Sequence, residues 1–221
     1  MKIQNTGDYT LNKVKAFVYG GAGIGKTRLC ATAPNPIILS AESGLLSLRK
    51  ENLPAIIIKN MDDLYEAYDW LTGSAEAKSY ETVCLDSISE IAEAILAAEK
   101  ELNADPRKAY LNMQEKTESL IKAFRDLPDF NVYFSCKMER ISTDTGAVLY
   151  APSFPGRNLA QNVSYLFDEV FAMVAFTDES NNTSRWLQTG TDAKYMCKDR
   201  SGALDMYEEP NLSAIFNKIN A

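Results

Sequence analysis

Residues 14–27 read VKAFVYGGAGIGKT, and this stretch decides the fold. Its first part, 14–19, alternates little and is rich in strand-forming residues. Gly20, Gly25, Lys26 and Thr27 then satisfy GxxxxGK[ST]. Glycines let the backbone curl so that its N–H groups converge on phosphate oxygens, and a helix starting near Lys26 adds its positive end. The spacing therefore predicts a strand, a phosphate loop and a helix, with ATP as the ligand. Gly20, Gly21, Ala22, Gly23, Ile24, Gly25, Lys26, Thr27 and Arg28 are the candidate nucleotide contacts. Lys26 reaches the β- and γ-phosphates in such a loop, and the Thr27 hydroxyl ligates Mg²⁺.

Outward from the loop, strand and helix patterns alternate. The helix after the loop is expected to run to about residue 33, where Pro34 and Pro36 end it. Strands are predicted at 37–40, 55–58, 82–86 and 131–135. Helices are predicted at 62–71, 89–102 and 109–127, the second from Ile88, Ile91, Ala92, Ile95 and Leu96 at helical spacing. After residue 136 the texture changes to a hairpin over 141–150 around Asp144-Thr145-Gly146, a short helix at 159–166, and strands at 168–176, 185–189 and 195–198. The expectation is one domain over 1–221: a βα core over 1–136 with a parallel sheet flanked by helices, and an antiparallel extension over 137–221.

A phosphate loop needs an acid near the magnesium and a group that orients the attacking water. Asp86 ends the apolar strand TVCLD and fits the first role; capping the following helix is its other reading. Glu42 follows the strand PIILSA, at the carboxyl end where α/β sheets build their sites, and fits the second. The chain has no histidine, so Ser-His-Asp and Cys-His chemistry are excluded and any general base is Asp, Glu, Lys or Tyr. Its four cysteines are far apart in sequence and lie beside apolar stretches, which predicts buried, reduced thiols. A net charge of −7 argues against a broadly basic nucleic-acid coat, though not against a local basic groove. No apolar run is long enough to span a bilayer, and the first residues lack a signal-peptide core, so a cytoplasmic location is expected.

In order, GxxxxGKT, Ser40-Ala41-Glu42, Leu85-Asp86-Ser87 and the strand end Ser135-Cys136-Lys137 resemble the RecA-like ATPase core. That resemblance implies a RecA-like P-loop fold, Glu42 orienting the hydrolytic water, Asp86 near Mg²⁺, and Lys137 as a γ-phosphate sensor, where RecA carries glutamine. Lys198 and Arg200 in YMCKDRSG match the paired cations that reach a neighbouring subunit's γ-phosphate. Alternate strand residues share a face, so both could meet one phosphate. The stretch from Phe154-Pro155-Gly156 to Phe167-Asp168-Glu169-Val170, with KDR, is similar to small RecA-like ATPases of bacteriophages, some of which anneal single strands. Only about 13 residues precede the first strand, so no polymerisation segment of the RecA type and no C-terminal domain are expected.

The same resemblance puts single-stranded DNA against residues 137–157, where Arg140, Tyr150, Phe154 and Arg157 are the candidate contacts. Cations among aromatics suit stacked bases and phosphates. Residues 105–108, DPRK, are a second such stretch. The implied partners are single-stranded DNA, further copies of the chain sharing ATP at their interfaces, and a single-strand binding protein in the host cytoplasm. Two other readings share the motifs: an assembly ATPase gated by nucleotide without DNA, and a nucleotide kinase. The second needs an arginine-rich lid, and no such cluster is present.

Overall fold

The computed structural model describes residues 13–142 and 146–221. Strands β1 (Lys15–Gly20), β2 (Pro36–Ser40), β3 (Ala55–Ile57), β4 (Thr82–Asp86) and β5 (Asn131–Ser142) carry the N-terminal half. Strands β6 (Val148–Pro152), β7 (Glu169–Thr177), β8 (Thr183–Gln188), β9 (Lys198–Asp199) and β10 (Tyr207–Glu208) carry the rest. The order across the sheet is β10-β8-β7-β1-β5-β4-β2-β3, with β6 on β5 and β9 on β7. The fold is α/β, with a mostly parallel sheet, flanking helices and antiparallel C-terminal strands.

β1 sits in the middle because both of its faces are apolar and both are covered, as parallel sheets require. On one face pack α2 (Met61–Gly73), α3 (Ile88–Leu102), α4 (Pro106–Arg125) and α5 (Arg157–Leu166), around Phe17, Leu85, Phe134 and Phe167. On the other pack α1 (Lys26–Leu29) and α6 (Leu212–Ile219), around Val18, Cys84, Tyr133 and Phe171. Local signals fix where the helices start. Asn60 and Asp63 form a capping box at α2, and Asp105 caps α4 with Pro106 in its first turn. Ser87, not Asp86, caps α3. All four cysteines are buried and free; burial pushes the Cys136 and Cys197 thiols up to about 12.

Several expectations change in detail. The helix after the loop is four residues of α-helix followed by a 3-10 turn at Cys30–Thr32. β7 joins the antiparallel extension to the core: it pairs antiparallel with β8 and β9 but lies parallel beside β1, with Gly20 opposite Met173. Its first six residues are buried, which is the pattern of a central strand. β5 does not stop near residue 135 but continues to Ser142 and pairs antiparallel with β6, so a hairpin is present. Asp144 and Thr145 at its tip lie outside the described residues. Tyr195 makes a single bridge to Tyr150, and β9 begins only at Lys198. β10 and α6 were not anticipated. Among the described residues no helix is long and apolar enough to cross a membrane.

Candidate functional site

The carboxyl ends of β1 and β2 and the middle of β5 meet at one cavity of about 530 Å³, lined in part by Gly20, Gly25, Lys26, Thr27, Glu42 and Lys137. The loop that leaves β1 is shaped by its glycines. Gly25 adopts φ 115°, a left-handed conformation that disfavours any side chain. At Gly20 a Cβ would sit 3.0 Å from Ile24 Cγ2 and 3.1 Å from the Met173 carbonyl, so β1 and β7 can approach only without one. The Lys26 ammonium folds back over the loop and donates to the carbonyls of Gly20 (2.9 Å) and Gly21 (3.0 Å). Burial pushes its pKa down, and the carboxylates of Glu42 and Asp86 pull it back up. Tyr133, fully buried on β5, donates its hydroxyl to the Lys26 carbonyl and pins α1 to the sheet.

Asp86 is fully buried at the end of β4. One carboxylate oxygen accepts from Thr27 Oγ1 at 2.7 Å, and the other accepts from Ser135 Oγ on β5. Its backbone carbonyl accepts the Ala41 N–H at 2.7 Å and the Glu42 N–H at 3.3 Å, which ties the end of β2 to the end of β4. Glu42 accepts a 2.6 Å hydrogen bond from Ser87 Oγ through Oε1, and its carbonyl accepts from Ser40 Oγ. The two acids are therefore held side by side by residues next to them in sequence. A threonine hydroxyl and a carboxylate are hard oxygen donors, the type that suits Mg²⁺, which takes few protein ligands and keeps water and phosphate for the rest. The donor set at Thr27 and Asp86 thus fits the ion.

Lys137 also borders this cavity, but its ammonium pairs with Glu90 (2.6 Å) and Glu93 (2.8 Å) on α3. Burial opposes its charge, and these two acids outweigh burial and hold its pKa up. Arg185 on β8 is a member of the cavity wall that the sequence did not indicate. Its Nη1 lies 4.0 Å from where a Gly25 Cβ would be, and the guanidinium makes no ion pair or hydrogen bond among the described residues. No spacing rule connects it to the loop. Only the ladder β8-β7-β1 brings it there, with Arg185 opposite Ala175.

Lys198 and Arg200 do not line this cavity. β9 pairs with the start of β7, Lys198 opposite Val170, which is level with Phe17 and well back from the loop. Lys198 donates to the Ser164 carbonyl at 2.7 Å, and Arg200 pairs with Asp168. Burial, then Arg200, pushes the Lys198 pKa down. Arg140 and Tyr150 face one another across the β5–β6 ladder, Arg140 exposed and Tyr150 half-buried. Phe154 is a correction: its ring is buried in the core beside Phe17, centroids 6.5 Å apart, so it cannot stack on a base. Arg157 opens α5, and its side chain lies outside what is described.

Beneath β9, Glu169 is fully buried, with Oε1 accepting the Ser201 N–H and Oε2 without a hydrogen-bond partner among the described residues. Burial first, and then the Asp199 charge, push its pKa from 4.5 up to about 7. Asp199 is held low instead, because hydrogen bonds from Ser201 Oγ and the N–H groups of Leu204 and Gly202 outweigh its own burial. The folded chain thus binds the Glu169 proton more tightly than the unfolded chain, so this group's contribution to stability falls as pH rises from 4.5 through 7. Glu169→Gln should open a stability advantage over that interval, reaching about 3 kcal/mol above it. Urea denaturation at several pH values checks this; an advantage that does not change with pH would rule out the titration.

Over residues 12–201 the chain matches the family described as an AAA domain. No curated protein matches it. Among solved structures it is similar to a KaiC-like protein from Pyrococcus horikoshii OT3, at 14% identity and a TM-score of 0.46, covering 79% of this chain and 76% of that one. It is also similar to a prototypical ATPase from the type III secretion system of pathogenic bacteria, at 13% identity and a TM-score of 0.49. That match covers 73% of this chain and 52% of the other.

Proposed function

The chain belongs to this AAA-domain family and is a P-loop ATPase, and from that premise we propose that it is a RecA-like, Mg²⁺-dependent, oligomeric ATPase acting on single-stranded DNA in bacteriophage recombination or annealing. One domain carries both the loop and the C-terminal strands. The observation that carries the hydrolytic part is the pairing of Glu42 and Asp86 beside the loop, each fixed by its own hydroxyl donor. In this reading Lys26 leaves the Gly20 and Gly21 carbonyls for the β- and γ-phosphates. Thr27 and Asp86 would hold Mg²⁺, which when bound would neutralise charge developing on the phosphate oxygens. Glu42 orients the water and accepts its proton, while Ser87 keeps the carboxylate aimed. Lys198 and Arg200 lie outside their own cavity, so a role at a phosphate requires a neighbouring copy, with ATP at the interface.

The DNA part is supported by the course of β5. That strand touches Asp86 through Ser135, borders the cavity at Lys137 and continues to Arg140, opposite Tyr150. A change at the γ-phosphate thus has a short covalent route to an exposed cation, with an aromatic ring opposite it across the ladder. Steady-state ATP hydrolysis with and without single-stranded DNA, at low and moderate salt, is the test. A salt-sensitive rise is expected. Turnover indifferent to DNA would sink the DNA reading and favour an assembly ATPase gated by nucleotide alone.

Arg185 is assigned a further part here: an unpaired guanidinium beside Gly25 contacts the phosphate chain within the same chain. Hydrogen bonds to charged groups contribute about 1.5–3 kcal/mol, so Arg185→Ala should weaken ATP binding at least about tenfold, with Arg185→Lys intermediate. Unaltered affinity and turnover in the alanine variant would remove Arg185 from the site.

A further inference from the structure

A second cavity, of about 450 Å³, opens on the other face of β8 from the phosphate loop. Alternation along the strand separates the two: Arg185 faces the loop, while Gln188 faces this cavity. Four rings line it. Tyr150 and Tyr195 stack with centroids 5.1 Å apart and planes 18° from parallel. Phe176 and Tyr207 meet edge to face at 5.4 Å. Gln188, 1% exposed, presents a buried amide whose Nε2 already donates to the Gly190 carbonyl at 3.0 Å, and Lys194 stands at the rim.

The platform is preformed. Asp192 Oδ1 accepts the N–H groups of Lys194 and Tyr195, both at 2.7 Å, and the Tyr150 N–H donates to the Lys194 carbonyl. These bonds fix the turn that carries Tyr195 against Tyr150 before any ligand arrives. They also use one oxygen of the Asp192 carboxylate within the turn itself. The hydroxyls of Tyr150, Tyr195 and Tyr207 make no hydrogen bond among the described residues. Lys194 makes no ion pair among them, and neither does Arg140, which shares a face with Tyr150 across the ladder. Phe176 and Tyr207 remain 47% and 39% exposed, large apolar area left facing water.

We propose that this cavity binds an unpaired nucleobase of single-stranded nucleic acid, stacked on the Tyr150–Tyr195 and Phe176–Tyr207 rings, with Lys194 and Arg140 on the adjoining phosphates. The chemistry selects this occupant. An aliphatic peptide anchor would find rings, an amide and free hydroxyls rather than an aliphatic wall, since Val148 is the one aliphatic side chain among the residues that line the cavity. A planar ring with a polar edge uses all of these groups. Unpaired cations beside the rings supply the backbone neutralisation that single strands need. The proposal rests on the DNA-acting function above and says where the strand sits.

The test uses the full chain with a labelled oligothymidylate containing 5-iododeoxyuridine, with and without a non-hydrolysable ATP analogue. Photocrosslinks are expected on Phe176, Tyr195 or Tyr207. Phe176→Ala and Tyr207→Ala should each weaken oligonucleotide binding about tenfold, in line with the loss of one stacking contact, while ATP affinity stays unchanged. Phe176→Trp should retain binding. Both positions are partly exposed, so neither truncation empties the core. Full-strength binding by both alanine variants, with crosslinks elsewhere, would overturn the pocket and leave the DNA-acting function standing. Competition by thymidine monophosphate as strong as that by the oligonucleotide, at equal nucleotide concentration, would make this a free-nucleotide site and overturn the assignment to a strand. No oligonucleotide binding by the unaltered chain in either nucleotide state would overturn the function and the pocket together.

Discussion

Lys26→Ala is expected to abolish ATP hydrolysis and to weaken nucleotide binding by about a hundredfold. The ammonium folds directly onto the loop, at 2.9 and 3.0 Å from the Gly20 and Gly21 carbonyls. Its partners there are neutral, and a triphosphate is a far better one. Burial already disfavours the charge, so the site holds a strained cation whose desolvation an anion offsets. Losing a charged hydrogen-bond pair to phosphate costs about 3 kcal/mol, which is the expected hundredfold. The fold should survive, because the anchoring of α1 runs through the Lys26 carbonyl and the Tyr133 hydroxyl, which alanine keeps. Titration with a fluorescent ATP analogue, beside a thermal melt, checks both halves. Normal binding by a folded variant would show that the loop assignment is wrong.

Glu42→Gln should do something different: bind ATP normally and turn it over about a hundred- to a thousandfold more slowly. Glutamine preserves the shape and still accepts the Ser87 Oγ bond through its amide oxygen. The link between β2 and β4 runs through backbone groups and is untouched. What disappears is the ability to take a proton from water, an effect of about 10²–10⁴ in rate for a positioned base. Single-turnover hydrolysis after ATP trapping separates this from a binding defect. Unchanged turnover would exonerate Glu42 and leave Asp86 as the nearest acid, although Asp86 is already committed to Thr27 and Ser135.

These two residues could be found in the sequence because their positions are set locally. The loop needs its glycines, lysine and threonine within eight residues, and the two acids each sit at the end of an apolar strand, where α/β sheets place such groups. Ser87 and Ser135 could have been noticed for the same reason, as neighbours of those strand ends. Arg185 could not, since its place depends on β8 adding to β7 and β7 adding to β1, and an isolated strand does not state its partner. The aromatic cavity is hidden in the same way, assembled from β6, β7, β8, β10 and the turn before β9. Phe154 misled because an aromatic near cations in sequence says nothing about which way its ring turns; here it turns inward to Phe17. The parallel setting of β7 did leave a trace. Its run EVFAMVA is apolar almost throughout, and an exposed antiparallel strand would alternate more.

β5 is held unequally along its length. Residues 131–134 are paired with β4 and, from 132, with β1; 135–137 are paired with β1; from Met138 the partner is β6. Its amides should therefore exchange with deuterated water in steps, slowest at the buried start and fastest towards Ser142. Such a gradient makes the strand a cantilever, clamped at one end and free to bend at the other. The clamp ends at Lys137, beside the cavity, so bending there would leave the Ser135–Asp86 contact in register while Arg140 swings.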